Sequence, residues 1–142
     1  MDNNRIDNNN IETLYYGNIM SIKNNHTLQE RINESKRVMS AYTDRIPIVC
    51  EKQRNSKMPD IKKKKYLVPK DLTVGQFIYV LRKQINIDPK VGFFIFINSN
   101  ILKNSEIVYD CYTKYKDPDG FLYVKYDFEN VFGNDIKLFT DK

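Results

Sequence analysis

The stretch FFIFI, residues 93–97, decides the fold that the sequence predicts. Its five residues are all aromatic or β-branched, and such a run is typical of a strand covered on both faces in the middle of a sheet. DP at 88–89 ends the region before it, and NSN at 98–100 indicates a turn after it. A central strand of this kind needs further strands beside it and helices on its faces, which the flanking sequence should supply.

Two helices and two strands are predicted before this stretch. TLQE at 27–30 and TVGQ at 73–76 have the capping-box form, and apolar residues recur at helical spacing after each. Strands are predicted at 46–52 and 62–69, with a polar loop between them that ends in MPD at 58–60. These two strands should pair as a hairpin with a long loop.

One helix and one strand are predicted after it. Asn104 or Ser105 can cap a helix, DPDG at 117–120 is a strong turn, and 121–126 alternates as a strand does. The order is helix, two strands, helix, strand, helix, strand. We therefore predict an α+β fold, a ubiquitin-like β-grasp with a four-stranded mixed sheet and an additional N-terminal helix or helices.

Residues 1–20 are predicted to form a flexible extension, because asparagine-rich sequence buries little surface. Ile11, Leu14, Tyr15 and Tyr16 are the exceptions, which could form a weak docking turn.

Charge limits the kinds of partner. Of the net charge of +5, the first 17 residues carry −2 and the last nine carry none, so residues 18–133 hold +7. This excess favours acidic partners, whether peptide, nucleic acid or anionic lipid.

Two classes of function have no support in the sequence. Cys50 and Cys111 lack metal-ligand spacing, and His26 is the only histidine, so neither a metal site nor an enzyme is predicted.

The chain also has no run approaching the about 20 apolar residues of a membrane span, and its first residues have no signal pattern. Contact with a membrane would therefore need an attached anchor.

Several ordered blocks of the chain resemble the autophagy-related protein 8 family, which includes GABARAP and the microtubule-associated light-chain-3 proteins. The blocks are DRIPIVCEK at 44–52, KYLVP at 65–69, DLTVGQF at 71–77, FIFIN at 94–98 and DGFLYV at 119–124. The resemblance covers residues 28–133 and implies a ubiquitin-like domain at 21–133 with an N-terminal helical subdomain. The long extension, the long tail and Thr27, where many members have proline, suggest a divergent member or paralogue.

The resemblance also implies chemistry at Phe132-Gly133. A cysteine protease would cleave between Gly133 and Asn134 and remove the tail, residues 134–142. Activating and conjugating enzymes would then join Gly133 to phosphatidylethanolamine, the covalent group that stands in place of any cofactor. A glycine end suits this chemistry because it threads narrow clefts and adopts backbone angles closed to other residues.

The lysine run at 62–65, followed by Tyr66, has three interpretations. Lysines blunt an exposed strand edge, combine with aromatic residues to bind nucleic acid, or attract acidic peptides that add a strand. The resemblance favours the third, with peptides of the form aromatic-x-x-aliphatic, and no nucleic acid is expected. Acids before the aromatic residue would meet Lys63 and Lys65.

By resemblance, two pockets would hold the peptide. The pocket for its aromatic residue would be lined by Glu34, Val38, Pro47, Val49, Lys65, Leu67 and Phe121. The pocket for its aliphatic residue would be lined by Tyr66, Val68, Pro69, Leu72, Phe77 and Val80. Because neighbouring strand residues point to opposite faces, the pockets should lie on either side of one strand. The alternative is that the apolar members are ordinary core.

Three functions follow from these observations. The favoured one is a modifier of autophagy that is found in the cytoplasm and on autophagosome membranes and recruits cargo receptors and adaptors. The second is a β-grasp scaffold that binds proteins but is never conjugated. The third is a basic protein that binds nucleic acid through the lysine run.

Overall fold

The computed structural model describes residues 14–17, 22–54, 56–57, 59–61 and 63–129. The predicted cleavage site at Phe132-Gly133 and the tail lie outside these residues. The helices are α1 (Ile22–Asn25), α2 (Leu28–Ala41), α3 (Val74–Ile85) and α4 (Val108–Tyr115). The strands are β1 (Leu14–Gly17), β2 (Arg45–Lys52), β3 (Lys65–Pro69), β4 (Phe93–Ile97), β5 (Asn100–Ile101) and β6 (Leu122–Phe128).

The strands form one mixed sheet of six, in the order β1-β3-β2-β6-β4-β5. β2 and β3 form the predicted antiparallel hairpin, β2 pairs in parallel with β6, and β6 pairs antiparallel with β4. The predicted α+β class is confirmed. The predicted number of four strands is too low, because two short strands lie at the outer edges of the sheet.

β1 corrects the prediction of a flexible extension over 1–20. Leu14–Gly17 pairs antiparallel with β3, so these four residues belong to the sheet. The prediction rested on the asparagine content of the whole extension, whereas this segment contains the aliphatic and aromatic residues that favour strands. Residues 1–13 and 18–21 lie outside the described part of the chain.

β4 is not the central, doubly covered strand that its apolar run predicted. In the described sheet only the two-residue β5 lies beyond it, and Phe93, Phe94 and Phe96 are half-buried. On one face Phe93 packs on Tyr126, and on the other the rings of Phe94 and Phe96 pack on each other. Mutual packing of aromatic rings therefore accounts for the apolar outer face. The doubly covered strand is β2, where residues 45–50 are all buried.

Two of the three helix starts predicted from the sequence agree with the structure. At each capping box the threonine hydroxyl accepts a hydrogen bond from the backbone N–H of the residue three positions later. The side chain of that later residue accepts a hydrogen bond from the threonine N–H. The predicted caps of α4, Asn104 and Ser105, are wrong, since α4 begins at Val108 without a side-chain cap. Instead, the Val108 N–H donates to the Leu72 carbonyl at 2.8 Å, so tertiary contact satisfies this helix end.

The sheet has a core on each face. The main core lies against α3 and α4 and includes Ile46, Ile48 and Leu81. Two smaller clusters lie on the opposite face: Val38 of α2 packs with Leu67, and Val49 packs with Phe121. In the described part of the chain, no helix is both long and apolar enough to cross a membrane.

Gly120→Ala should destabilise the fold. Gly120 has a φ of +94°, and an added Cβ would lie 2.4 Å from the Ser35 hydroxyl oxygen. A side chain at such a φ costs about 1–3 kcal/mol, and the displaced hydroxyl also donates to the Asp119 carbonyl. We expect urea unfolding to show a loss of at least this size. The control is Gly75→Ala, whose Cβ would meet Asn104 at 3.3 Å and should change stability by less than about 1 kcal/mol. Equal effects would contradict the role of Gly120.

Candidate functional site

The predicted peptide edge is β3, and in this structure it has a strand on each side. Lys65, Tyr66 and Leu67 each have a partner residue in β2, namely Val49, Ile48 and Pro47 respectively. The same three residues also have partners in β1, namely Gly17, Tyr15 and Leu14. Along these residues β3 is therefore an interior strand, and the outer edge belongs to β1.

The residues predicted for the aromatic pocket lie together on the face of the sheet that carries α2. Their apolar members are buried: Val38, Pro47, Val49, Leu67 and Phe121. Glu34 of α2 places a carboxylate oxygen 3.7 Å from the Lys65 ammonium, and the same carboxylate accepts from Arg37 at 2.9 Å. Burial lowers the pKa of Lys65, whose side chain is 7% exposed, and Glu34 partly offsets this.

The residues predicted for the aliphatic pocket lie on the opposite face. All except the half-buried Pro69 are in the main core, namely Tyr66, Val68, Leu72, Phe77 and Val80. Tyr66 meets Phe77 edge-to-face, with ring centroids 5.6 Å apart. These side chains fill the core between β3 and α3, so substituting them would test folding and binding at the same time.

The lysine run is not an open basic edge. Lys64 and Lys65 are both buried, and Lys64 lies 3.6 Å from the Asp60 carboxylate, as Lys65 lies near Glu34. Lys63 is half-buried, and Lys62 lies outside the described residues. Acids of the same chain thus already face two of the lysines, which weakens the electrostatic basis for nucleic-acid binding.

The loop before β6 holds a buried charge that the sequence analysis missed. The Asp119 side chain is fully buried, and it accepts hydrogen bonds from Arg31 at 2.8 Å and from the Tyr123 hydroxyl at 2.6 Å. Its other carboxylate oxygen accepts from the Phe121 N–H at 2.9 Å. Burial raises the pKa of the Tyr123 hydroxyl, and its hydrogen bond to Asp119 raises it further. Asp119 therefore links Arg31 of α2 to Phe121, which is one of the residues predicted for the aromatic pocket.

Sequence alone assigned Asp119 to a turn, and the turn is present. The sequence did not show that the Asp119 side chain also pairs with Arg31, because Arg31 lies far away in the chain, in the first turns of α2. The only available signal was an acid in the DPDG turn and a basic residue one turn inside a helix.

α1 is anchored to the same loop. The Lys23 ammonium lies 2.7 Å from the Asp117 carboxylate and 4.4 Å from the centre of the Tyr123 ring. The ion pair and hydrogen bond with Lys23 lower the pKa of Asp117, although burial alone would raise it. α1 is thus held against the start of β6.

Among the residues that the structure describes, the remaining reactive groups form no catalytic arrangement. Cys50 and Cys111 are free and buried, and burial raises the pKa of both thiols, which suits packing residues. His26 lies 3.6 Å from the Glu30 carboxylate on the surface of α2. Within the described residues, no cluster of three or more His, Cys, Asp or Glu side chains could hold a metal ion.

The described chain ends beside the sheet. β6 ends at Phe128, and the Glu129 N–H donates to the Gly92 carbonyl at 2.8 Å, next to β4. Gly133 follows four residues after Glu129.

Comparison with known proteins gives consistent matches. The family model described as "Autophagy protein Atg8 ubiquitin like" matches residues 30–133. Autophagy-related protein 8 of Mycosarcoma maydis is 47% identical over 113 residues, which are 80% of this chain and 96% of that protein. Autophagy-related protein 8B of Oryza sativa subsp. indica is 49% identical, with 80% and 95% covered.

Two solved structures are similar in fold and sequence. The crystal structure of Trypanosoma brucei ATG8 matches with a TM-score of 0.74 and 43% identity, covering 77% of this chain and 94% of that one. Plasmodium falciparum Atg8, in complex with a Plasmodium falciparum Atg3 peptide, matches with a TM-score of 0.69 and 33% identity, covering 77% and 96%. The predicted ubiquitin-like fold is thereby confirmed.

Asp119→Ala should destabilise the protein strongly. It would leave the Phe121 N–H and the Tyr123 hydroxyl without their acceptor, at roughly 1–3 kcal/mol for each buried donor. Chemical denaturation followed by circular dichroism would measure the loss. Asp110→Ala, at an exposed position in the first turn of α4, is the control and should cost less than about 1 kcal/mol. Similar losses in the two variants would show that the Asp119 contacts contribute little.

Proposed function

This chain belongs to the Atg8 family of ubiquitin-like autophagy proteins, and from that membership we propose that it is a lipid-conjugated modifier. It is a ubiquitin-like protein and not an enzyme. In the proposal, a cysteine protease cleaves it between Gly133 and Asn134, and Gly133 becomes joined to phosphatidylethanolamine on autophagosomal membranes. The observation that carries the proposal is that the family match ends at residue 133, which is a glycine followed by nine further residues.

The proposed chemistry uses the carbonyl carbon of Gly133 throughout. Hydrolysis of the Gly133–Asn134 peptide bond frees a carboxylate, which an activating enzyme adenylates with ATP, releasing pyrophosphate. A cysteine of that enzyme displaces AMP to form a thioester, and a cysteine of the conjugating enzyme then takes over the acyl group as a second thioester. The amine of the lipid then attacks the thioester carbonyl, an amide bond forms, and the enzyme's thiolate leaves. This chain supplies the acyl group, and its partners supply the nucleophiles.

Peptide recognition is the second part of the proposal. The Atg3 peptide bound to the Plasmodium relative supports binding of a conjugating-enzyme segment by this chain as well. Cargo receptors with aromatic-x-x-aliphatic motifs would use the same two pockets beside β3. Because exposed charge pairs contribute only about 0.2–1 kcal/mol each, the apolar pockets must supply most of the affinity.

The proposal also gives a location. The unconjugated protein is cytoplasmic, and the conjugated form resides on the autophagosome membrane. Each lipid methylene buried in the bilayer contributes about 0.8 kcal/mol, and two acyl chains together hold a protein stably where one does not. The +7 of residues 18–133 adds an attraction to anionic lipid that salt screens.

Gly133→Ala should block both trimming and lipid attachment, because the enzyme clefts must accommodate a residue without a Cβ. Intact-mass measurement of the protein recovered from starved cells would show the full chain for this variant. The wild type should end at Gly133 and carry the added mass of the lipid. Lys137→Ala, within the tail, is the control and should be processed normally. Wild-type protein found only at full length would contradict the proposal and favour the unconjugated scaffold.

Membrane residence should depend on Gly133 and survive high salt. Flotation of membranes in concentrated salt would compare the wild type, a Gly133 deletion and a deletion of residues 1–13, which leaves β1 intact. We expect the wild type and the N-terminal deletion to float and the Gly133 deletion to stay behind. If salt strips all three proteins equally, electrostatic attraction holds the protein at the membrane in place of the lipid.

A further inference from the structure

We propose that β1 is a ligand for the chain's own peptide-binding edge, so that an extended peptide can add to β3 only after β1 has left. The inference rests on the proposed peptide recognition and adds a regulatory device to it. The surface is the outer edge of β3, its internal occupant is Leu14–Gly17, and the competing partner is an extended peptide with aromatic and aliphatic side chains.

The competition follows from the register. Lys65, Tyr66 and Leu67 use one side of their backbone for β2 and the other for β1. Each backbone N–H and C=O on the β1 side can pair with one strand at a time. A peptide that adds a strand to β3 needs those same groups, so peptide and β1 exclude each other.

The pocket beside this edge is also closed in the structure, where Leu67 packs with Val38 and Phe121 packs with Val49. Leu67 and Phe121, which would line the aromatic pocket, are 1% and 0% exposed. A side chain entering from outside therefore has neither a free strand edge nor an open cleft. The structure describes the site in its occupied state.

β1 has the chemistry of the ligands it would exclude. Its sequence, LYYG, combines an aliphatic and two aromatic residues, and Glu12 places an acid shortly before it. An acid followed by apolar residues is the composition of the peptides that the edge is proposed to bind, although Leu14 precedes the aromatic residues, whereas the aromatic-x-x-aliphatic form places the aliphatic residue after them. The segment differs in this from the asparagine-rich sequence around it.

β1 is also only weakly attached to the sheet. It has only four residues, its register shifts between Tyr15 and Gly17, and in the described sheet it pairs with β3 alone. Short edge strands with an irregular ladder open at low free energy. Four residues, 18–21, separate it from α1, whose Lys23 is bound to Asp117. This short tether gives an effective concentration on the order of mM, so even a weak contact occupies the site.

The first experiment weakens β1 in the full chain. Leu14→Pro with Tyr15→Pro removes two backbone donors from the strand, and Asn3→Pro with Asn4→Pro is the control in the same extension. The probe is a short synthetic peptide with acids before a Trp-x-x-Leu core, titrated by calorimetry. We expect the β1 variant to bind at least about tenfold more tightly than the wild type and the control, which corresponds to about 1.4 kcal/mol of docking. Equal affinity in all three proteins overturns the proposal.

The second experiment holds β1 in place. Directly opposed residues of antiparallel strands lie about 4.5–5.5 Å apart at Cα, which a disulfide can bridge, so Gly17→Cys with Lys65→Cys should cross-link β1 to β3. The native cysteines are buried and should not interfere. The reduced variant lacks Lys65, a residue of the proposed site, so we expect it to bind the peptide more weakly than the wild type. We expect oxidation of the same sample to abolish that binding and reduction to restore it. Binding that is unchanged by reduction overturns the proposal.

The two proposals fail in different ways. If the wild type, the β1 variant and the reduced cysteine variant all fail to bind while unfolding cooperatively, peptide recognition itself is wrong, and the blocking role falls with it. If the wild type and the β1 variant bind equally well, and oxidation leaves the binding of the cysteine variant unchanged, peptide recognition stands and only the role of β1 is lost.

Discussion

The parallel pairing of β2 with β6 is the contact on which the rest of the structure depends. It matches residues 48–52 with 122–126 and so joins the N-terminal hairpin to the last strand of the described chain. Parallel neighbours cannot be joined by a tight turn, so everything between β3 and β6 forms the crossover. That crossover supplies α3, β4 and α4, which contribute Phe77, Ile95 and Tyr112 to the main core. The pairing also places β6 in the interior of the sheet, and the residues after it leave from there.

Local signals in the sequence predicted the local parts of this fold. The two capping boxes, the β2–β3 hairpin and the DPDG turn each depend on residues close together in the chain, and these predictions hold. Features that depend on distant partners were missed. β1 exists because β3 offers it backbone groups, and α4 needs no side-chain cap because the Leu72 carbonyl accepts from Val108. The apolar run of β4 suggested two covered faces, but periodicity does not distinguish a second layer from rings that pack on each other.

The residues predicted for the two pockets lie on the two faces of β3, but the sequence did not show that a strand occupies the edge between them. Resemblance named residues on both faces of β3, and the structure groups them there, with Lys65 against Glu34 on one face and Tyr66 against Phe77 on the other. Sequence could not show that this edge is occupied or that the lysines already face acids of the same chain. It also could not reveal the Asp119 carboxylate, whose partners Arg31 and Tyr123 come from two different elements. Burial and charge pairing at long range are properties of the folded chain.

The interior position of β6 has a mechanical consequence. A tether attached beyond Glu129 would pull along β6, whose backbone is bonded to β2 on one side and to β4 on the other. Tension in that direction loads both ladders in shear, so their hydrogen bonds must fail together, whereas a peeled edge strand loses them one at a time. β1 at the far edge would yield to a small lateral force while β6 held. The same sheet therefore combines β6, an interior strand that resists pulling along its length, with β1, an edge strand that separates easily.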